Sequence, residues 1–194
     1  MARTVASTAR EQIVETTCDL LEAQGYHATG LNQIVAESGA PKGSLYHYFP
    51  DGKEELAAVA IDLTGRSLAG RVEAALAVDD DPAEAVRFLA LRIADAIEES
   101  EFRGGGPLTI VAMETATSSQ RLNLACREAY GRLQATFAAK LEAAGHGPQR
   151  AAELAAFVTA AFEGGIILSR TYHSGDPLRR VGQELAMLLR SEPR

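Results

Sequence analysis

Apolar and polar positions follow the period of an α-helix through nearly the whole chain. Between residues 13 and 21, for example, inward-facing candidates recur three and four positions apart, at Ile13, Thr17, Leu20 and Leu21. The strict alternation of apolar and polar residues that marks a half-buried strand is missing. The pattern therefore predicts an all-α protein.

Several helix starts are marked by capping signals. Thr8 followed by Glu11 fits a capping box, in which each side chain bonds the backbone N–H of the other residue. Asp51 with Glu54 predicts a second box, and the segment 81–84 (Asp-Pro-Ala-Glu) combines a cap with a proline at the first helical position. Helices are thus expected to begin near residues 8, 51 and 81.

Glycine and proline mark the expected helix ends and starts in the N-terminal part of the chain. Gly25 is expected to end the first helix and Gly39 the second, since glycine tolerates the left-handed conformation of a helix end. Thr29 is expected to cap the second helix, Pro41 to lie in the first turn of the third, and residues 50–52 (Pro-Asp-Gly) to end it.

About nine helices result. A Gly-rich break at 103–107 separates the fifth from the sixth. Their expected ranges are 8–25, 29–39, 41–49, 51–77, 81–100, 108–116, 119–144, 149–172 and 176–190. We expect two domains, 1–52 and 53–194, joined without a linker because the fourth helix starts directly after the third.

Residues 29–53 predict a helix-turn-helix: a short helix, a glycine-containing turn and a second short helix. The second helix of such a motif enters the major groove of DNA with its N-terminal residues near the base edges. Five apolar residues would hold the motif against the first helix: Leu31, Ile34, Val35, Leu45 and Phe49.

The residues left on the outer face of the motif have the chemistry of DNA contacts. Lysine offers charge to phosphate or guanine, hydroxyls bond phosphate oxygens, a tyrosine ring can touch a thymine methyl, and glycine allows a close backbone approach. The candidates are Thr29, Lys42, Gly43, Ser44, Tyr46, His47, Tyr48 and Lys53. The other interpretation is a purely structural motif in which the aromatic residues pack inward. Three aromatics packed inward would be unusual for so short a helix, so DNA contact is favoured.

The charge of the chain restricts how DNA could be held. The formal net charge is −7, and the first 56 residues contain four Lys or Arg against eight Asp or Glu. Two of the three lysines, Lys42 and Lys53, flank the third helix. A small basic patch on an acidic body is expected, with steep salt dependence of DNA binding and modest non-specific affinity.

Residues 39–49 read Gly-Ala-Pro-Lys-Gly-Ser-Leu-Tyr-His-Tyr-Phe. This segment resembles the Gly-x-x-Lys-Gly-Ser/Thr-Leu-Tyr-x-x-Phe core of the TetR family of repressors, and the motif covers about a quarter of the chain. The link 50–53, together with residues 30–34 and 39–41, is similar to the LmrA/YxaF-like branch, whose members are tied to drug and small-aromatic efflux genes. That branch has Gly-Cys-Pro after the fifth helix, where this chain has residues 105–107 (Gly-Gly-Pro).

The resemblance implies a repressor that binds a palindromic operator in double-stranded DNA as a homodimer, with helices 8 and 9 pairing across a two-fold axis. The sequence independently allows this, because helix 8 carries a broad apolar stripe with many small residues. The other interpretation is that both helices only close the monomer core. The expected interface residues are Ala151, Leu154, Ala155, Val158, Phe162, Val181, Leu185 and Leu188.

The resemblance also implies a pocket for a small apolar or aromatic effector within helices 4 to 8. Candidate lining residues are Phe88, Phe102, Met113, Glu114, Phe137, Phe162 and Tyr172. Ordinary core packing is the other interpretation for each aromatic residue and Met113. For Glu114, a carboxylate among apolar neighbours, the other interpretation is a place on a solvated helix face, since burial of a carboxylate without a partner is costly.

Other chemistry finds little support in the sequence. The four histidines are dispersed, no nucleophile or phosphate-binding motif is present, and Gly104–Gly106 lacks the strand and lysine of a phosphate cradle. We expect no enzyme activity, metal or cofactor.

Neither a secretory signal nor a continuous apolar span of about 20 residues is evident, and Cys18 and Cys126 suggest free thiols, so a cytoplasmic protein without membrane contact is expected. A DNA-bound structural or partner-interaction protein of the same fold, without a small ligand, is the alternative function.

Overall fold

Helices follow one another from residue 9 to residue 191. The structure, a computed structural model, describes residues 8–104, 106 and 108–191, and within these residues it contains nine α-helices and no β-strand. The helices are α1 (Ala9–Ala28), α2 (Leu31–Ser38), α3 (Lys42–Tyr48), α4 (Lys53–Leu76), α5 (Pro82–Glu99), α6 (Thr109–Thr115), α7 (Gln120–Ala143), α8 (Pro148–Tyr172) and α9 (Asp176–Ser191). The all-α prediction is confirmed. The predicted break at 103–107 includes residues 105 and 107, which lie outside the described residues.

Two of the predicted helix starts have the expected geometry. The Thr8 hydroxyl accepts the N–H of Glu11 at 3.3 Å, and the Glu11 carboxylate accepts the N–H of Thr8 at 2.7 Å. The Asp81 carboxylate accepts the N–H of Ala83 at 3.1 Å, with Pro82 at the first helical position. These contacts satisfy backbone donors that have no partner inside the helix.

Other helix ends differ from the predictions. Gly25 does leave the helical conformation (φ 79°), but α1 resumes for one more turn, to Ala28. Gly30, not Thr29, is the residue that caps α2, and it makes no side-chain cap bond. Pro41 precedes α3 in an extended conformation (ψ 135°) and does not lie inside its first turn.

The predicted box of Asp51 with Glu54 is wrong. The Asp51 N–H donates to the carboxylate of Glu55, one residue further along, at 3.0 Å. Glu54 instead accepts the hydroxyl of Ser119, and the Asp51 carboxylate pairs with Arg121 at 2.9 Å. Both acidic side chains are therefore used in contacts with residues far away in sequence, which a local pattern cannot reveal.

The described helices fall into two compact units. Unit 1 comprises residues up to 64 together with α6 and the chain up to residue 127, and unit 2 comprises 65–106 together with the chain from residue 128. In unit 1, α1 contacts α2, α3 and α6, whereas in unit 2 α5, α8 and α9 contact one another. The grouping differs from a division between residues 52 and 53, because unit 1 also includes the first part of α4 and α6, which packs against α1.

Unit 2 is held together by closely approaching helices. Gly182 of α9 faces Ala90 of α5 so closely that a Cβ on the glycine would lie 2.4 Å from the alanine Cβ. A Cβ on Gly165 of α8 would lie 2.6 Å from the Leu178 side chain. Small residues at these crossings allow the backbones to approach, so that the apolar side chains around them interdigitate.

The buried face of α8 faces the core of unit 2. Six of the residues predicted for a dimer interface are buried in this core of a single chain: Ala151, Leu154, Ala155, Val158, Phe162 and Leu185. The other two, Val181 and Leu188, are half-buried against the same core. The interface prediction is corrected accordingly, because packing against α5 and α9 already uses this stripe.

The opposite face of α8 is apolar too. Phe157, Ile167, Leu168 and Tyr172 are exposed along it, and Met187 is exposed on α9. For this reason α8 is long and apolar enough to cross a membrane by length and composition alone, with a mean hydropathy of 1.6 over 18 residues. The expectation from the sequence that the chain has no such stretch is therefore wrong. With 44% of that window buried in the protein, the helix matches a core helix that has a second apolar face.

A cluster of charges ties α5 to the start of α9. The guanidinium of Arg179 lies 2.7 Å from Glu98 and 2.8 Å from Asp95, and Glu98 also accepts the N–H of Gly175 at 2.7 Å. The bond from Arg179, followed by that from Gly175, lowers the pKa of Glu98 to about 2. The folded protein therefore stabilises the charged form of Glu98.

A Glu98→Gln variant is expected to unfold a few degrees below the wild-type protein near pH 7. A carboxylate whose folded pKa lies below its ordinary value contributes stability above that ordinary value, about 4.5, and loses it as the pH falls towards about 2. The difference in Tm between variant and wild type should therefore shrink between pH 4.5 and pH 2. Thermal unfolding across this range measures it, and a difference that does not change with pH would contradict this role of Glu98.

Candidate nucleic-acid interface

The segment from α2 to α3 has the geometry of a helix-turn-helix. Gly39 occupies the left-handed region (φ 65°) directly after α2, which allows the tight turn that a side chain would disfavour. Ile34 of α2, Leu45 of α3 and Phe49 after α3 are almost completely buried. The apolar sides of α2 and α3 are therefore buried, and both helices contact α1, as the sequence predicted.

The outer face of α3 carries polar and aromatic groups. Gly43, Tyr46 and His47 share one exposed side of the helix at positions i, i+3 and i+4. Tyr46 is 59% exposed, and the His47 ring meets the ring of Tyr48 edge-on at 5.0 Å. Nothing lies within 4 Å of the position of a Cβ on Gly43. The aromatic rings are thus available at the surface, because Leu45 of α3 and Phe49 directly after it occupy the inward side.

Two further candidates begin α3. Ser44 is half-buried, and its N–H donates to the Pro41 carbonyl at 2.8 Å. Lys42 is the first residue of the helix, and its side chain lies outside the described part of the structure. Its role as a phosphate or base contact stays a prediction from the sequence.

Thr29 does not have the arrangement expected of a phosphate contact. Its side chain is buried (1% exposed), and its hydroxyl donates to the Gly25 carbonyl at 2.6 Å. Its own N–H donates to the Tyr26 carbonyl at 3.2 Å. Both groups that were predicted to meet DNA are used to close the end of α1, so this assignment is corrected to a structural one.

Lys53, at the start of α4, lies against the end of α1. Its ammonium is 4.1 Å from the centroid of the Tyr26 ring, an attractive cation–π arrangement. Partial burial lowers the pKa of Lys53, and the negative charge of Glu114 opposes this shift. Lys53 is therefore half-buried at a corner of the motif, with its ammonium over the ring of Tyr26.

Sequence reasoning missed Arg10. Its guanidinium lies 5.5 Å from the centroid of the Phe49 ring, directly after α3, although the residue is exposed. This places a cation beside the end of the helix with the exposed aromatic face. No local signal links residues 10 and 49, since only the packing of α1 on α3 brings them together.

The structure places the predicted effector-pocket residues in different surroundings. Phe137 and Phe162 stack in the core of unit 2, with ring centroids 5.8 Å apart. Phe102 stacks on His173 at 5.1 Å, and Tyr172 is 68% exposed on the outer face of α8.

The other three predicted lining residues are Phe88, Met113 and Glu114. Phe88 is half-buried on α5, and Met113 of α6 is 77% exposed. Glu114 belongs to unit 1, where it accepts backbone bonds from α1 at Tyr26 and His27. Its prediction as a pocket residue or as part of a solvated helix face is therefore corrected to a helix–helix contact.

A groove of about 510 Å³ lies between the C-terminal parts of α4 and α7 in unit 2. It is lined by Glu73, Leu76, Ala77, Ala135, Thr136, Ala139 and Lys140. None of the predicted lining residues belongs to it. Among the described residues, no group of three or more His, Cys, Asp or Glu side chains could hold a metal ion.

Comparison with known proteins identifies the class to which this fold belongs. Residues 13–60 match the bacterial regulatory proteins of the tetR family, and residues 82–184 match the C-terminal domain of LmrA/YxaF-like transcriptional regulators. A crystal structure of a TetR transcriptional regulator from Legionella pneumophila superposes with a TM-score of 0.81 at 19% identity, over 95% of this chain and 99% of that one. The class is therefore that of helix-turn-helix regulators of transcription, which are DNA-binding proteins and not enzymes.

Two relatives in Bacillus subtilis specify the family further. The HTH-type transcriptional regulator YxaF is 40% identical over 94% of this chain and 96% of its own length. The HTH-type transcriptional regulator LmrA is 37% identical over 93% of this chain and 96% of its own length. The chain belongs to the TetR family of transcriptional regulators, in its LmrA/YxaF-like branch, which confirms the resemblance carried by residues 39–49.

Proposed function

We propose that this regulator represses transcription by binding a palindromic operator as a homodimer, and that a small apolar or aromatic effector releases it. The exposed face of α3 carries the proposal, because Tyr46, His47 and Tyr48 project aromatic and polar groups from a helix whose other side is buried. Such a helix can enter the major groove without loss of core packing. Repression in the cytoplasm is supported by the family to which the chain belongs.

The second apolar face of α8 supports the dimer. Phe157, Ile167, Leu168 and Tyr172 would leave a large apolar stripe in water if the chain were alone. Soluble proteins seldom leave such a patch uncovered, and a second copy related by a two-fold axis covers it with the same surface. A two-fold dimer also matches the symmetry of a palindromic operator.

Release by an effector would act through the distance between the two copies of α3. Half-sites lie about 34 Å apart, one turn of DNA, so a displacement of a few Å prevents both from binding at once. The effector would displace α6, which lies in unit 1, and tilt α4, which has residues in both units. Coupling of this kind is typically worth about 1–3 kcal/mol, or roughly 5- to 150-fold in DNA affinity. The effector and its lining residues are proposed on family grounds, and the groove between α4 and α7 is the first place to look for them.

The purified protein is expected to bind DNA from upstream of its own gene more tightly than a scrambled duplex of the same length. The affinity should fall steeply between 50 and 200 mM salt, as expected when several phosphates are contacted. Fluorescence anisotropy across a salt series measures both effects. Equal binding to both duplexes at every salt concentration would contradict operator recognition in that DNA. Tight binding that no small apolar or aromatic compound weakens would favour a DNA-bound protein without an effector.

A further inference from the structure

The end of α1 forms a corner, residues 25–29, that leads into α2. The backbone turns sharply at Gly25, which has a φ of 79° and a ψ of −177°. After this turn, the N–H groups of Tyr26 and His27 donate to a side chain of α6. The corner therefore depends on an acceptor from a distant part of the sequence.

Glu114 of α6 is that acceptor. Its Oε2 atom lies 2.6 Å from the nitrogen of Tyr26 and 3.2 Å from that of His27. Hydrogen bonds to an ionised carboxylate are stronger than those between neutral groups. The absence of a side chain at Gly25 makes room for it, since a Cβ there would lie 2.8 Å from both carboxylate oxygens and 2.7 Å from Ile110. The carboxylate thus occupies a place shaped by the glycine.

Hydrogen bonds connect the corner to α2. The Thr29 hydroxyl donates to the Gly25 carbonyl at 2.6 Å, which closes the turn. The Gln24 amide nitrogen donates to the Ala28 carbonyl at 3.0 Å and to the Gln33 side chain of α2 at 2.9 Å. A movement of the corner is therefore transmitted to the first helix of the DNA-binding motif by hydrogen bonds and by the chain itself.

The corner is also in contact with α4. Lys53 lies over the Tyr26 ring, and the charge of Glu114 acts on its ammonium. Tyr26 therefore links α6 with α4: its N–H binds Glu114, and its ring binds Lys53. One carboxylate of α6 thus influences both ends of the DNA-binding motif, at α2 and at Lys53.

We propose that Glu114 is a positioning residue for DNA binding, through which α6 holds α2 and Lys53 in the orientation that the operator requires. This proposal rests on the proposed operator binding. A carboxylate that binds two backbone N–H groups can be displaced as a unit when α6 moves, and the corner then loses both bonds together. Without Glu114, the motif samples orientations that do not fit DNA, and the apparent affinity falls by the fraction of competent molecules.

The test compares two substitutions of Glu114 with the same substitutions of Glu98. Glu114→Gln keeps the shape and one oxygen but removes the charge, whereas Glu114→Ala removes the acceptor. Glu98 is a matched control, because it also accepts a backbone N–H, from Gly175 at 2.7 Å, but lies in unit 2. Operator affinity, Tm and amide hydrogen exchange of Tyr26 and His27 are measured for every variant.

We expect Glu114→Gln to weaken operator binding about threefold and Glu114→Ala about tenfold, a change equivalent to roughly 1.4 kcal/mol. Both should speed amide exchange at Tyr26 and His27. The Glu98 variants should lower the Tm without either effect. Wild-type affinity in Glu114→Ala despite faster exchange would overturn the positioning role, and so would losses of affinity that follow Tm equally for Glu98 and Glu114. Failure of the wild-type protein to prefer its operator would contradict the proposed function itself, whatever the variants do.

Discussion

A Leu168→Arg substitution is expected to turn the proposed dimer into a monomer and to lower operator affinity by about 100-fold or more. Leu168 lies on the outer face of α8, between Phe157 and Tyr172, where a second copy would cover it. An arginine in that interface must leave water without a partner of opposite charge, which costs several kcal/mol, and the two-fold axis imposes the cost twice. A monomer then binds a single half-site and loses the advantage of two linked contacts.

Sedimentation velocity and operator binding at the same protein concentration measure these two effects. Val78→Arg is the matched control, because Val78 is an exposed apolar residue (62%) in the turn after α4 and lies on neither α8 nor α9. It should remain dimeric and bind as the wild type does. A dimeric Leu168→Arg variant with wild-type affinity would show that the copies meet through another surface.

A Tyr46→Ala substitution is expected to weaken operator binding about 10- to 100-fold with little change in Tm. The ring is 59% exposed on the outer face of α3, so its removal leaves no cavity in the core formed by Leu45 and Phe49. A contact with a base edge or phosphate is typically worth about 1–3 kcal/mol in discrimination, which corresponds to this range. Anisotropy with the operator and with a scrambled duplex, together with thermal unfolding, separates the two quantities.

Lys42→Ala is the companion variant and should also lower the slope of log affinity against log salt by about one, since one phosphate contact is lost. Arg92→Ala removes the same charge from an exposed position on α5 and should leave both affinity and slope unchanged. If Tyr46→Ala and Lys42→Ala instead prevent folding, these residues belong to the core and the DNA-binding face lies elsewhere.

The helices themselves could be predicted from the sequence because their signals act over a few residues. The capping box of Thr8 with Glu11, the Asp81 cap and the apolar positions 34, 45 and 49 all operate within one or two helical turns. The exposed face of α3 could be predicted for the same reason, since seven consecutive residues decide which side of the helix is buried. The motif of residues 39–49 then led to the family.

Predictions failed where a polar side chain had a choice of partners. Thr29 could cap α2 or close α1, and it closes α1 because Gly25 turns the backbone towards its hydroxyl. Asp51 could cap α4, but Arg121 of α7 offers it a charged partner. Both choices involve hydrogen bonds of comparable strength, so the packing of other elements decides between them.

The sequence by itself predicted about nine helices and the helix-turn-helix, because periodicity, caps and turn residues are local physical preferences, and the resemblance of residues 39–49 to a known motif indicated the family. Only the tertiary structure decided which of the two apolar faces of α8 enters the core, since burial depends on the neighbours α5 and α9 and not on the helix alone. Only the tertiary structure brought Glu114 to the N–H of Tyr26, 88 residues away. Contacts at such separation follow from the summed packing of many helices, and no local pattern encodes them.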